Sequence, residues 1–255
     1  MRIQYASDLH LEMSANDSWL IKNPLEVTGD ILLLAGDTGL FGDRTYTPDH
    51  TFWKWVSTKY SLVIAIPGNH EFYRLWDLDS MTDGWTLDLY PNVHCVYNAV
   101  IKLGENVDMI ATTLWSKIKP EDAPETEWYV NDFHRIRSGL SSLSWKRFNE
   151  EHERCLRFLK KSVAESKAEH LIVMSHHVPS FALSDPEFEG SACNGAFNVE
   201  LGDFISDSRI EYWIYGHSHR NIDKVIGNTK CVSNQLGYVR HGEHLTFNPA
   251  KTIEI

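Results

Sequence analysis

The sequence predicts an α/β fold, and three observations carry that prediction. Five short runs read as strands, most of them continuously apolar, as in sheets covered on both faces. Each run closes on a cluster of polar residues, the place where open α/β sheets hold their ligands. Stretches with helical spacing of apolar residues lie between them.

Residues 2–8, RIQYASD, alternate and stop at Asp8-Leu9-His10. Residues 31–37, ILLLAGD, end on Gly36-Asp37. Residues 48–59 predict a helix, with Pro48-Asp49 as its start and Phe52 and Val56 on its apolar face. Residues 62–71 run apolar to Pro67-Gly68, then give Asn69, His70 and Glu71 in succession. Residues 93–114 predict two or three strands around a turn at Gly104-Glu105-Asn106. Residues 142–167 are the clearest helix, with Ser144 as cap and a stripe of Phe148, Cys155, Leu156 and Leu159. The run 170–177, HLIVMSHH, closes on Ser175-His176-His177, and 211–219, EYWIYGHSH, on His217-Ser218-His219. KCVSNQLGYV and HLTFN read as further strands. Residues 72–92 and 115–139 take no element and read as long loops, either pinned by aromatic packing or shaping a substrate rim. No repeat, low-complexity segment or linker interrupts the chain, so a single domain over residues 1–255 is expected.

Composition narrows the class. Hydrophobic residues make up 42% and charged residues 23%, the balance of a soluble globular protein. No apolar run of about 18 residues exists, which excludes a predicted membrane helix. The opening MRIQYASDLH reads as a strand, not as a charged-then-apolar leader, so a cytoplasmic protein is expected. Cys95, Cys155, Cys193 and Cys231 form no CxxC pair, which removes a zinc finger and suits reduced thiols. The net charge of −11 speaks against an extended nucleic-acid surface, which needs Lys and Arg to neutralise phosphates.

The residues at the strand ends are Asp8, His10, Asp37, Asn69, His70, His176, His177, His217 and His219. Mixed carboxylate, imidazole and amide donors suit divalent first-row metals, and the absence of cysteine disfavours a structural zinc site. They are too many for one ion and a natural number for two. Two ions about 3.5–4 Å apart can activate a water for in-line attack on phosphorus. His217 and His219, at strand alternation, would share one face.

In order, the blocks DLH, GD, GNHE, SHH and GHSH resemble the signature blocks of the calcineurin-like metallophosphoesterase superfamily, from Asp8 to about Gly237. The resemblance implies a four-layer αββα sandwich with a dinuclear metal site at the sheet edge. It assigns Asp8, His10 and His219 to a first metal, Asn69, His176 and His217 to a second, and Asp37 to a bridge between them. The first histidine of a block like SHH is the ligand in the family, which prefers His176 over His177. His70 resembles the family's general acid, suited by an imidazole pKa near ~6.5. Glu71 is read as a brace that accepts backbone N–H groups. Mn²⁺ is the expected metal, with Fe, Zn, Ni or Co as alternatives.

The sequence departs from the protein Ser/Thr phosphatase branch. That branch carries a longer second block, GDxVDRG, whose second Asp pairs with the catalytic histidine; here Leu40 and Phe41 stand at the Asp and Arg positions. The partner of His70 is therefore left unassigned. TTLW, NDFHRI and the late GY look more like small bacterial or phage-type members. Arg74, Arg135 and Arg137, with His134, are possible phosphate contacts, because the guanidinium fork suits phosphate; ion pairs with the acidic loops are the alternative. Phe72, Tyr73, Trp76 and Trp128 offer stacking faces or loop packing. His241 and His244 match no block and are expected at the surface. A phosphodiesterase or phosphomonoesterase on a small molecule or nucleotide is the leading expectation. A single-strand nuclease and a non-catalytic metal-binding scaffold are the alternatives, and the oligomeric state is left open.

Overall fold

A computed structural model describes residues 1–255. In chain order the elements are β1 (Arg2–Ala6), α1 (Ser14–Lys22), β2 (Ile31–Ala35), α2 (Thr51–Lys59), β3 (Leu62–Ile66), β4 (Trp85–Tyr90), β5 (Val93–Tyr97), β6 (Ala99–Gly104) and β7 (Val107–Ala111). There follow α3 (Ala123–Tyr129), α4 (Asp132–Arg135), β8 (Arg137–Ser138), β9 (Ser141–Ser142), α5 (Trp145–Glu165), β10 (His170–Met174), α6 (Gly202–Asp207), β11 (Tyr212–Tyr215), β12 (Lys224–Ile226), β13 (Thr229–Ser233) and β14 (Thr252–Glu254).

Two six-stranded sheets result, in the orders β14-β1-β2-β3-β5-β4 and β12-β13-β11-β10-β7-β6. In each, four central strands are parallel and both edge strands are antiparallel. The fully buried strands explain themselves through period two. Ile31, Leu33 and Ala35 face the second sheet and pack with Met109, Ile172, Met174 and Ile214. Their neighbours Leu32 and Leu34 point the other way, onto Leu20 of α1 and Trp53 and Val56 of α2. On the far side, Leu171, Val173 and Trp213 of the second sheet pack with Leu159 of α5 and Ile205 of α6. The order helix, sheet, sheet, helix is the four-layer αββα sandwich.

The long helix starts where expected: the Ser144 hydroxyl accepts from the Arg147 N–H at 3.3 Å. The earlier helix starts later than its Pro48-Asp49 signal, at Thr51, because the His50 ring caps it by accepting from the Phe52 N–H. Residues 93–114 give three strands. The two stretches read as loops contain β4 and the short helices α3 and α4. HLTFN is not a strand. Residues Glu243–Thr246 form a single 3₁₀ turn, and β14 pairs with β1 in its place. Glu243, just before HLTFN, is drawn inward to accept from His219 Nδ1 and the Tyr238 N–H.

Parallel strands put all their C-terminal ends on one edge. The turns after β1, β2, β3, β10 and β11 therefore open side by side. Backbone bonds lock the two halves together there: Ser7 donates to the Asn234 carbonyl, and Leu236 and Gly237 donate to the carbonyls of Ser7 and Asp8.

Candidate metal centre

Asp8, His10, Asp37, Asn69 and His70 come from the first sheet, and His176, His217 and His219 from the second. All eight are buried or nearly so. The structure brings three groups of potential ligand atoms together: Asp8 with His10 and His219, His10 with Asp37 and His70, and Asp37 with His176 and His217.

The backbone there is strained. Asp8, His10, Asp37, His217 and His219 all take left-handed φ values between 49° and 76°. Each such residue costs of order 1–3 kcal/mol and persists where its surroundings over-determine it. The turns also need glycine. A Cβ on Gly36, at φ 91°, would lie 2.4 Å from His176 Nδ1, and one on Gly68 would lie 2.2 Å from Asp37 Oδ1.

The ring orientations follow from what each outer nitrogen meets. His176 Nδ1 faces the Ala35 carbonyl at 2.8 Å, and His217 Nε2 faces the Ala196 carbonyl at 3.3 Å. Both carbonyls only accept, so these nitrogens carry the protons. His176 Nε2 and His217 Nδ1 then face each other at 3.1 Å, with Asn69 Oδ1 3.1 Å from the former. On the other side, His10 Nδ1 faces Glu12 Oε1 at 3.1 Å and His219 Nδ1 faces Glu243 Oε2 at 2.6 Å. That leaves His10 Nε2 and His219 Nε2 3.0 Å apart, with Asp8 Oδ1 3.4 Å from the latter. Asp37 stands between the two groups, Oδ1 3.4 Å from His176 Nε2 and Oδ2 3.8 Å from His10 Nε2.

These facing lone pairs require positive charge between them. Donor atoms at right angles about 2.1 Å from one ion stand about 3.0 Å apart, so the spacings fit a divalent cation in each group. The electrostatics agree. Burial opposes it, but the Asp8 and Glu243 hydrogen bonds push His219 up to about 10. Burial likewise opposes Asp37, which nevertheless pushes His176 up to about 9. The residues present fit divalent metal ions.

His177 does not join them. Both its ring nitrogens are buried without a partner, and its ring packs against Trp115 and His217. Glu71 is the brace: its two oxygens accept from the N–H groups of Asp37, Thr38, Gly39 and Gly68 at 2.7–3.3 Å, tying the β2 turn to the β3 turn.

Three carboxylates escaped the sequence reading. Glu12 Oε1 lies 2.9 Å from His70 Nδ1, supplying the partner that Leu40 cannot. Burial raises its pKa, but hydrogen bonds from His10 and His70 outweigh that and bring it down to about 2. Asp132 Oδ1 accepts from Asn69 Nδ2 and from the Tyr73 hydroxyl, both at 2.8 Å, which turns Asn69 Oδ1 toward the histidines. Glu243 orients His219. The D-x-H-x-E spacing was a readable signal for Glu12; the other two had none. Asp132→Ala is expected to weaken metal affinity about 10–100-fold, the usual cost of losing a residue that orients a ligand. Metal titration of the variant checks this.

Of the arginines, Arg74 pairs with Asp43 at 2.5 Å and Arg137 with Asp77 at 3.7 Å, both as exposed side chains. Arg135 lies over the Tyr73 ring at 5.5 Å, and that ring stacks on His70 at 4.2 Å. His134 bonds the Trp128 carbonyl. Phe72 is buried, Trp76 packs on Phe41, and Trp128 is 75% exposed. His241 lies exposed, and His244 packs against Trp19. Tyr238, from the late GY, contacts the rings of His10, His70 and His219.

Comparison with known proteins agrees with this geometry. An uncharacterized protein of Acanthamoeba polyphaga mimivirus, L509, is 28% identical over all of this chain and 97% of its own length. The structure of phosphopantetheinyl hydrolase from Mycobacterium tuberculosis superposes with a TM-score of 0.69 at 13% identity, covering 98% of this chain and 95% of that one. TT1561 of Thermus thermophilus superposes at 0.52 and 12% identity, covering 92% and 88%. At these identities the superpositions show the shared fold. The sequence model of the calcineurin-like phosphoesterases matches residues 1–221, a span that holds every strand-end residue of the site. The chain belongs to the calcineurin-like phosphoesterase family and is a phosphoric ester hydrolase.

Proposed function

We propose that the protein hydrolyses a phosphodiester or phosphomonoester of a small molecule or nucleotide at two divalent metal ions, with His70 as general acid. The observation that supports this most is the pair of facing donor groups on either side of Asp37. Asp8, His10 and His219 would hold one ion, Asn69, His176 and His217 the other, and Asp37 would bridge them. Bound there, such ions lower the pKa of water and polarise phosphoryl oxygens.

The chain's own residues do the rest. Asp37 offers one oxygen to each side. Asn69 donates an oxygen without adding charge. His70 is held with Nδ1 toward Glu12, which leaves Nε2, 3.3 Å from the Tyr238 hydroxyl, as the atom that gives a proton to the leaving oxygen. The Tyr73 ring stacked on it fixes its plane, and Arg135, over that ring, is the arginine proposed to meet a substrate phosphate, with Arg74 and Arg137 as further candidates. Mn²⁺ is the proposed metal, from the oxygen donors Asp8, Asp37 and Asn69 that accompany the four histidines. Four free cysteines suit a reducing cytoplasm; no helix is long and apolar enough to cross a membrane.

The test is hydrolysis of bis-p-nitrophenyl phosphate and p-nitrophenyl phosphate by metal-stripped protein, with Mn²⁺, Ni²⁺, Co²⁺, Zn²⁺ or Mg²⁺ added back. Metal-dependent turnover is expected, and the ratio of diester to monoester rates picks the branch. No turnover with any metal, from protein shown to hold two ions, would contradict the proposal.

A further inference from the structure

The geometry points to Glu12 as a positioning residue that holds His70 and His10 through a single oxygen, coupling the proton donor to one side of the metal centre. This rests on the reading of His70 as general acid. Glu12 Oε1 is 2.9 Å from His70 Nδ1 and 3.1 Å from His10 Nδ1, and the two rings stand edge to face at 4.5 Å. The carboxylate is 9% exposed, and its second oxygen is buried without a partner, so Oε1 alone serves both rings. An ionised carboxylate only accepts, so both histidines donate from Nδ1. His10 is thereby fixed with its Nε2 lone pair toward His219 and Asp37. His70 is fixed with Nε2 toward the open side, where Tyr238 stands.

The arrangement differs from an ordinary ligand-orienting carboxylate, which serves one ring. His70 makes its one ion pair with Glu12. The turn after β2, where a carboxylate partner was sought, instead presents the buried apolar Leu40 and Phe41. Glu12 reaches His70 out of the turn after β1. Movement of Oε1 therefore displaces a proton donor and a proposed metal ligand together.

Two arms test this. The first measures hydrolysis of a p-nitrophenyl ester, whose leaving group needs little protonation, and of the matching alkyl ester, whose alkoxide needs it. Glu12→Gln keeps an acceptor oxygen but removes the charge. It is expected to lower kcat at least tenfold on the alkyl ester and less than threefold on the p-nitrophenyl ester, with KM unchanged. Adding Glu12→Gln to His70→Asn should cause little further loss on the alkyl ester, since Glu12 acts there through His70. A Glu12→Gln variant that matches the parent on the alkyl ester, or losses that multiply, would overturn the proposal. The second arm needs no turnover. In proton NMR of the Zn²⁺-loaded protein, two slowly exchanging downfield Nδ1–H signals are expected, assigned by His10→Asn and His70→Asn and both lost in Glu12→Ala. Their absence from the parent protein, or their survival in folded Glu12→Ala, would overturn it. A parent protein that hydrolyses neither ester strikes the proposed function, while the NMR arm still decides the role of Glu12.

Discussion

Asp37→Ala is expected to lose both metal ions and nearly all activity. One carboxylate addresses both donor groups, with Oδ1 at His176 and Oδ2 at His10, so its removal opens both at once. It also removes the acceptor of the His70 backbone N–H at 2.9 Å, loosening the turn that carries Asn69 and His70. Charge stabilisation at such a site is worth several kcal/mol, and each ~1.4 kcal/mol is tenfold in rate. A fall in kcat/KM of about 10³-fold or more should follow, with bound metal dropping from two ions per chain to fewer than one. Elemental analysis of the gel-filtered variant reads the metal directly. A variant that keeps one tightly held ion would show that Asp37 serves one side alone.

His70→Asn is expected to separate chemistry from metal binding. His70 Nδ1 is occupied by Glu12, and its ring is clamped by Tyr73, so Nε2 is the atom available to a substrate. Losing a general acid costs roughly 10²–10⁴-fold where the leaving group needs a proton. Both ions should stay bound, because the donor groups around Asp37 are complete without His70. Rates on alkyl and p-nitrophenyl esters, beside metal content, check this. Full activity on the alkyl ester would remove His70 from the chemistry, and loss of metal would reassign it as a ligand.

How much of this was legible in the sequence depends on how local each signal is. The strand-end blocks were readable because each follows a short alternating or apolar run bounded by turn residues, the pattern of a strand, and parallel strands bring their ends to one edge. The same logic made the αββα layering accessible once the family resemblance was recognised. The carboxylates behind the site were not readable in the same way. Asp132 meets Asn69 across 63 positions and Glu243 meets His219 across 24, and a lone acidic residue in a polar loop announces nothing. Nor does a sequence mark left-handed backbone at Asp8, His10 or His219, since that conformation is imposed by tertiary bonds such as the Gly237 N–H to the Asp8 carbonyl. HLTFN misled for a related reason: its pattern suits a strand, but Glu243 just before it is tied inward to His219 and the Tyr238 N–H, and Glu243–Thr246 turn as a 3₁₀ helix. Arg74 and Arg137 read as phosphate contacts from residue type alone, and in the structure each makes an ion pair with a loop carboxylate while staying exposed.

The central claim is that Asp37 stands between two metal ions. An anomalous difference map from crystals grown with Mn²⁺ tests it most directly. The account predicts two peaks about 3.5–4 Å apart, one among Asp8, His10 and His219, the other among Asn69, His176 and His217, with Asp37 touching both. A single peak, or two peaks with Asp37 bound to one of them only, would contradict it.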